Sequence, residues 1–196
     1  MGAFAFRWIP LAASRYTLIE LLIVLAIIAA LIVGAFYLYP KVQAARSANA
    51  ESVILQSFQA NMKSLFTTGD YQKVSNLVTA QAGMWSDQMI TNPATATITT
   101  EWGTLVTVKP ATSAGVVSAT GVPAQYFVVT YPGVPSDVCQ KLVPSLAGSW
   151  EKITVGATVV QDLNGSPAVQ YDPSLLAASC GGSSASTTAD LTLVSR

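Results

Sequence analysis

The 196-residue chain has no histidine. That absence removes Ser-His-Asp and Cys-His nucleophiles and every histidine-ligated metal site. Cysteine occurs only at Cys139 and Cys180, too few for a structural zinc site. Charge is scarce too: 10% of residues are charged, ten basic against ten acidic. No Lys/Arg cluster is present to track phosphates, so nucleic acid is not an expected partner. One pattern with catalytic precedent remains, Ser149-x-x-Lys152 in "SWEK", which matches the Ser-x-x-Lys of penicillin-recognising enzymes. Its companion Ser-Asp-Asn and Lys-Thr-Gly motifs are missing, and a serine-rich chain produces such a match by chance. The expectation is no catalytic residue, no metal and no cofactor.

Apolar residues are plentiful, at 51% of the chain, and they are concentrated near the start. Leu21 to Tyr39 carries no charge, no amide and no hydroxyl except those of Tyr37 and Tyr39. At 1.5 Å per residue this stretch spans roughly the 30 Å hydrocarbon core of a bilayer. A cleavable secretory signal is the alternative, but its apolar region is usually about 7 to 15 residues and ends at a small-x-small site. Here the run is longer and leaves through "FYLYPK", aromatics beside a lysine, as at a membrane interface. One membrane segment followed by one globular domain is the expected organisation.

The two cysteines have two readings. In an oxidising compartment a Cys139–Cys180 bridge closes a loop of about 40 residues and contributes on the order of 4 kcal/mol. In a reducing cytosol they are two buried free thiols. The first reading places the domain outside the cytoplasm.

Past the apolar run, Val42, Ala45, Ala48, Leu55, Phe58, Met62 and Leu65 recur at three- and four-residue steps. Lys41, Arg46, Glu51 and Lys63 fall between them. This predicts that the membrane helix continues as an amphipathic one to about Phe66, roughly 75 Å in all, with a kink at Pro40 and a stop at Gly69. A short helix is expected around Val74, Leu77 and Val78, then an irregular connection through "TNPATAT". Strands are expected at "WGTLVTVKP", "AQYFVVTYP", "WEKITV", "GATVVQD" and "DLTLVSR". Helices are expected at "PSDVCQKLVPSLAG", with Ser136 or Asp137 as the cap, and at "DPSLLAASCGG". The fold class is therefore α+β: a long N-terminal hydrophobic helix packed on an antiparallel β-sheet.

"YTLIELLIVLAIIAALI" resembles the start of a type IV pilin. It has an aromatic first mature residue at Tyr16, then Thr17, the Leu18-Ile19 pair, and Glu20 as the fifth mature residue. "EWGTLVTVKP", "YFVVTYPGVPSDVCQKL", "WEKITVGATVV" and the Cys-terminated helix before "LVSR" are similar to the type IVb class, including the major pilins of plasmid thin conjugative pili. The resemblance implies a leader at 1–15, a transmembrane and filament-core helix at 16–40, an exported amphipathic half at 41–67, and a globular domain at 68–196 with a disulfide region at 139–180. It also implies a single-pass inner-membrane precursor with a periplasmic C-terminal domain. A prepilin peptidase would cut between Arg15 and Tyr16 and leave a modified, methylated amine on Tyr16.

The partners implied are identical subunits in a helical homopolymer, an inner-membrane assembly platform with its ATPase, an outer-membrane secretin and minor pilins. The roles implied are adhesion, aggregation or conjugative mating contact by an extracellular filament. One departure stands out: the family has glycine before the cut and this chain has Arg15.

Glu20 has two readings, as the partner of the Tyr16 amine of a neighbouring subunit or as a carboxylate favoured by the dipole at a helix start. Ala26, Ala29, Ala30 and Gly34 permit close helix approach and are equally ordinary helix filler. Two alternatives to a major pilin are a minor pilin or type II secretion pseudopilin, and a membrane-anchored periplasmic enzyme or binding domain.

Overall fold

The computed structural model describes residues 17–92, 94–113, 115–119, 122–181 and 188–196. They fall into two units that divide between Pro40 and Lys41. One helix, α1 (Leu18–Leu65), contributes to both and has Pro40 inside it. Proline cannot donate to the Phe36 carbonyl, so one rung of the helix is missing there by chemistry. Thr17 starts the helix: its carbonyl accepts the N–H groups of Glu20 and Leu21 at 3.0 and 3.2 Å. Its hydroxyl accepts the Glu20 N–H at 3.4 Å, the first half of a Thr-x-x-Glu capping box.

In the second unit, α1 buries Ala44, Ser47, Ala48, Glu51, Ser52, Leu55, Phe58, Gln59 and Met62. This face corrects the sequence expectation. Val42 is 50% exposed and Leu65 49%, whereas Glu51, expected on another face, is 3% exposed. Glu51 lies seven residues from Ala44 and four from Leu55, so helical spacing puts it on their stripe. Of the polar members of that stripe, Ser52 donates locally to the Asn49 carbonyl at 2.9 Å, while Glu51 and Gln59 have partners far along the chain. The Gln59 amide donates to the Ser149 carbonyl at 2.7 Å and to the Ser195 hydroxyl at 2.6 Å.

After α1 come α2 (Asn76–Gln81), capped by the Ser75 side chain on the Val78 N–H, and two short paired strands, β1 (Ile90–Asn92) and β2 (Thr97–Ile98). That pair lies where an irregular connection was expected. The main sheet is built from β3 (Thr107–Ala111), β4 (Tyr126–Pro135), β5 (Lys152–Val155), β6 (Thr158–Asp162) and β7 (Thr188–Ser195). All its pairs are antiparallel, in the order β3-β4-β7-β5-β6. The last strand is thus the central one, paired from Phe127↔Ser195 to Pro135↔Thr188 on one side and from Lys152↔Val194 to Val155↔Leu191 on the other.

β3 starts later than its apolar pattern suggested. Thr100 and Thr104 close a turn first, through the Thr104 N–H on the Thr100 hydroxyl at 3.1 Å. That turn fills a bulge in β4 between Tyr131 and Val134. There the Pro132 carbonyl accepts from the Thr104 hydroxyl at 2.6 Å and from the Trp102 indole at 3.3 Å. Gly133 has φ +67°, and a Cβ on it would stand 2.9 Å from the Thr104 methyl. Both the backbone and the close approach require glycine.

β4 runs directly into α3 (Ser136–Leu146), whose cap position is Pro135 with no side-chain hydrogen bond. Neither Ser136 nor Asp137 caps it. The continuous strand-to-helix passage already places both residues inside the first turn. α4 (Pro173–Ser179) is capped by Asp172, whose carboxylate accepts the Ser174 N–H at 2.8 Å and the Ser174 hydroxyl at 2.6 Å. Those bonds hold the Asp172 carboxyl below the usual aspartate value.

The core lies between the sheet and residues 44–62 of α1. Phe58 meets Trp85 at 4.3 Å and Phe127 at 6.0 Å between ring centroids, and Phe127 meets Trp150 at 5.8 Å. Burying each large side chain contributes about 1.5–3 kcal/mol. Asn76 fixes the entry to β3: its amide donates to the Val106 carbonyl at 2.7 Å and its carbonyl accepts the Val108 N–H at 2.6 Å. Asn76→Ala is expected to cost about 2 kcal/mol, because two backbone groups lose their partner at once. Hydrogen exchange at the Val108 amide is the check, and unchanged protection there would contradict this role.

Candidate functional site

Every residue from Thr17 to Pro40 is exposed. The surface includes Leu18, Ile19, Leu21, Leu22, Ile23 and Val24 and continues through Phe36 and Leu38 on all faces of the helix. This helix is long and apolar enough to cross a membrane. Contact with water over so much aliphatic surface is unfavourable at about 25 cal/mol per Å², so lipid or protein must cover it. Glu20 is the single charged residue between Thr17 and Pro40. It sits in the first turn of α1, where the exposed N–H groups and the helix dipole favour a carboxylate. The Thr-x-x-Glu spacing was visible in the sequence and marks the helix start. Arg15 and Tyr16 lie outside the described residues, so the cleavage junction and the amine that would meet Glu20 have no described geometry.

Cys139 on α3 and Cys180 at the end of α4 are bonded, with Cα atoms 5.8 Å apart. Both are fully buried. The bridge joins one helix to the other, and through the β4–α3 passage it ties α4 to the sheet.

The Ser-x-x-Lys pair does not form a reactive dyad. The Ser149 hydroxyl donates to the Leu146 carbonyl at 3.1 Å, and Lys152 is paired with Asp162 at 2.9 Å across the β5–β6 hairpin. Among the described residues no group of three or more His, Cys, Asp or Glu is placed to hold a metal.

One buried acidic group was missed by pattern reading. Glu51 accepts the Tyr131 hydroxyl at 3.2 Å. Burial pushes its carboxyl above the usual glutamate value, against the lowering effect of hydrogen bonds from the Glu101 backbone and Tyr131. Burial, reinforced by the Glu51 charge, holds the Tyr131 phenol well above its ordinary value.

A long helix whose second half packs on an antiparallel sheet of this order is the fold of type IV pilins of known structure. Two solved structures share the fold. TcpA, a type IV pilin from Vibrio cholerae El Tor biotype, aligns with a TM-score of 0.51 at 16% identity, over 79% of this chain and 99% of that one. The type IVb pilin from Salmonella typhi aligns with a TM-score of 0.53 at 18% identity, over 74% of this chain and 97% of that one. No curated protein matches the sequence. Residues 45–195 match the family model described as PilS N terminal, and the chain belongs to that family.

Proposed function

We propose that the chain is the major subunit of a type IVb pilus used for adhesion, aggregation or conjugative mating contact. The observation that carries this is the fully exposed, uncharged helix surface from Leu21 to Tyr39 with the lone Glu20 at its front edge. In a membrane, lipid covers that surface; in a filament, the same helices of other copies cover it. Carrying Glu20 into an apolar filament core costs several kcal/mol unless a cation meets it. The free, methylated amine of Tyr16 on a neighbouring copy supplies one.

The remaining assignments follow from this reading. The precursor resides in the inner membrane with its C-terminal domain periplasmic. Residues 1–15 form a leader, 16–40 the filament-core helix, 41–67 the exported half of that helix and 68–196 the head. A prepilin peptidase, an assembly platform with its ATPase, a secretin and minor pilins act on it in turn.

Arg15 supplies the test. Glycine before a cut lets an extended backbone lie close to a protease, whereas Arg must place a long charged side chain at the membrane edge. Cleavage between Arg15 and Tyr16 is therefore expected to be slow or blocked, and restored by Arg15→Gly. Intact mass of membrane-purified and fibre-derived protein reads this directly. Complete trimming at Tyr16 in the wild type overturns the slow cleavage, a mature terminus elsewhere overturns the junction, and absence of the chain from sheared surface fibres even with Arg15→Gly overturns the pilus role.

A further inference from the structure

Glu51 is a carboxylate in the core without a cation to meet it. Among the described residues Glu51 is in no ion pair, and its hydrogen-bond partners are the neutral Tyr131 hydroxyl and the Glu101 backbone. It forms part of the wall of a cleft of about 390 Å³ between α1 and the segments around β1 and β2, which gives water and protons a route to it. The charged groups around it are few. Arg46 on α1 lines the same cleft without forming an ion pair, and Glu101 adds a negative charge that opposes ionisation. β4 presents Tyr131, kept neutral by burial, and the opposite wall presents the uncharged Ser86, Gln88, Met89, Thr99 and Thr100.

We propose that Glu51 is a proton-binding site that couples the acidity of the surroundings to how firmly the segments bearing Met89, Thr99 and Glu101 are held against α1. A neutral carboxyl keeps a hydrogen bond with Tyr131 and has no charge to solvate, whereas an ionised one must be desolvated with no ion pair among the described residues to offset the cost. The folded chain therefore binds this proton more tightly than the unfolded chain does. The stabilisation is complete below the ordinary glutamate value and is lost as pH rises through the higher value of the folded state. Lowering the pH through the raised Glu51 value tightens the subunit, and raising it through that value loosens this wall. The property belongs to the single subunit and is independent of whether filaments form.

The test uses the full chain in detergent micelles, labelled with 13C at glutamate carboxyls, as wild type, Glu51→Gln and Glu101→Gln. One resonance, absent in Glu51→Gln, is expected to titrate above the ordinary glutamate range and to move down in Glu101→Gln, where the neighbouring negative charge is gone. Glu51→Gln is expected to melt higher than wild type at pH 7.5, with the difference vanishing as pH falls through the ordinary glutamate value. A Glu51 midpoint at or below the ordinary range overturns the proposal. So does a midpoint that ignores Glu101; where Glu51→Gln does not fold, Glu51→Asp, whose carboxyl carries no glutamate label, assigns the resonance instead.

Discussion

In an Arg15→Gly background, which secures trimming at Tyr16, cells making only Glu20→Ala subunits are expected to hold normal amounts of membrane-inserted protein and to display almost no fibres. Glu20 is exposed on a helix whose neighbouring residues are also exposed, so the monomer loses no packing when its side chain is cut back. The effect falls on assembly. In the proposed filament, removing the carboxylate leaves the Tyr16 amine of the neighbouring copy charged and unpaired in an apolar core. Breaking a buried pair in this way costs about 3–5 kcal/mol, a hundredfold or more in each association constant. Glu20→Gln is expected to behave the same way, since an amide cannot neutralise the amine. Counting sheared fibres against membrane-fraction protein separates assembly from folding. Fibre numbers from Glu20→Ala subunits equal to those of the Arg15→Gly parent would show that Glu20 serves only the start of the helix.

Replacing both cysteines by alanine is expected to give the largest loss of subunit stability. The bridge spans 41 residues of sequence, and closing a loop of that size contributes about 4 kcal/mol by restricting the unfolded chain. A domain holds only about 5–15 kcal/mol in total, so the melting temperature should fall by roughly 10 °C and steady-state levels should drop. Reductant should lower the wild type toward the variant and leave the variant unmoved. A melting temperature within a degree or two of wild type would mean that the packing of α3 against α4 suffices without the bond.

Several features that the pattern along the chain did not specify share a cause. The apolar pattern sets Glu51 on another face of the helix because carboxylates rarely enter cores, although its spacing from Ala44 and Leu55 puts it on the buried stripe. The Tyr131 hydroxyl that makes burial tolerable lies 80 residues away. The β1–β2 pair is not legible in "TNPATAT", which carries turn residues and no large apolar side chain, and the pairing of Ile90 with Ile98 depends on two strands meeting rather than on either one alone. Ser136 and Asp137 are good capping residues by type, yet a strand that flows into α3 leaves neither at the cap.

What the sequence determined alone was local: the apolar run from Leu21 to Tyr39, the resemblance around Tyr16 to Glu20, the helices over α3 and α4 with Asp172 and Pro173 opening the latter, and most of the strands. Each follows from length, composition or a period of a few residues, and neighbouring residues suffice to set it. The tertiary structure decided the rest. It put β7, which follows the other strands along the sequence, in the middle of the sheet between β4 and β5. It turned the polar residues Gln59 and Glu51 inward and supplied partners from Ser149, Ser195 and Tyr131. These choices depend on hydrogen bonds between groups 80 to 136 residues apart, and a buried polar group is tolerable only once such a partner is in place.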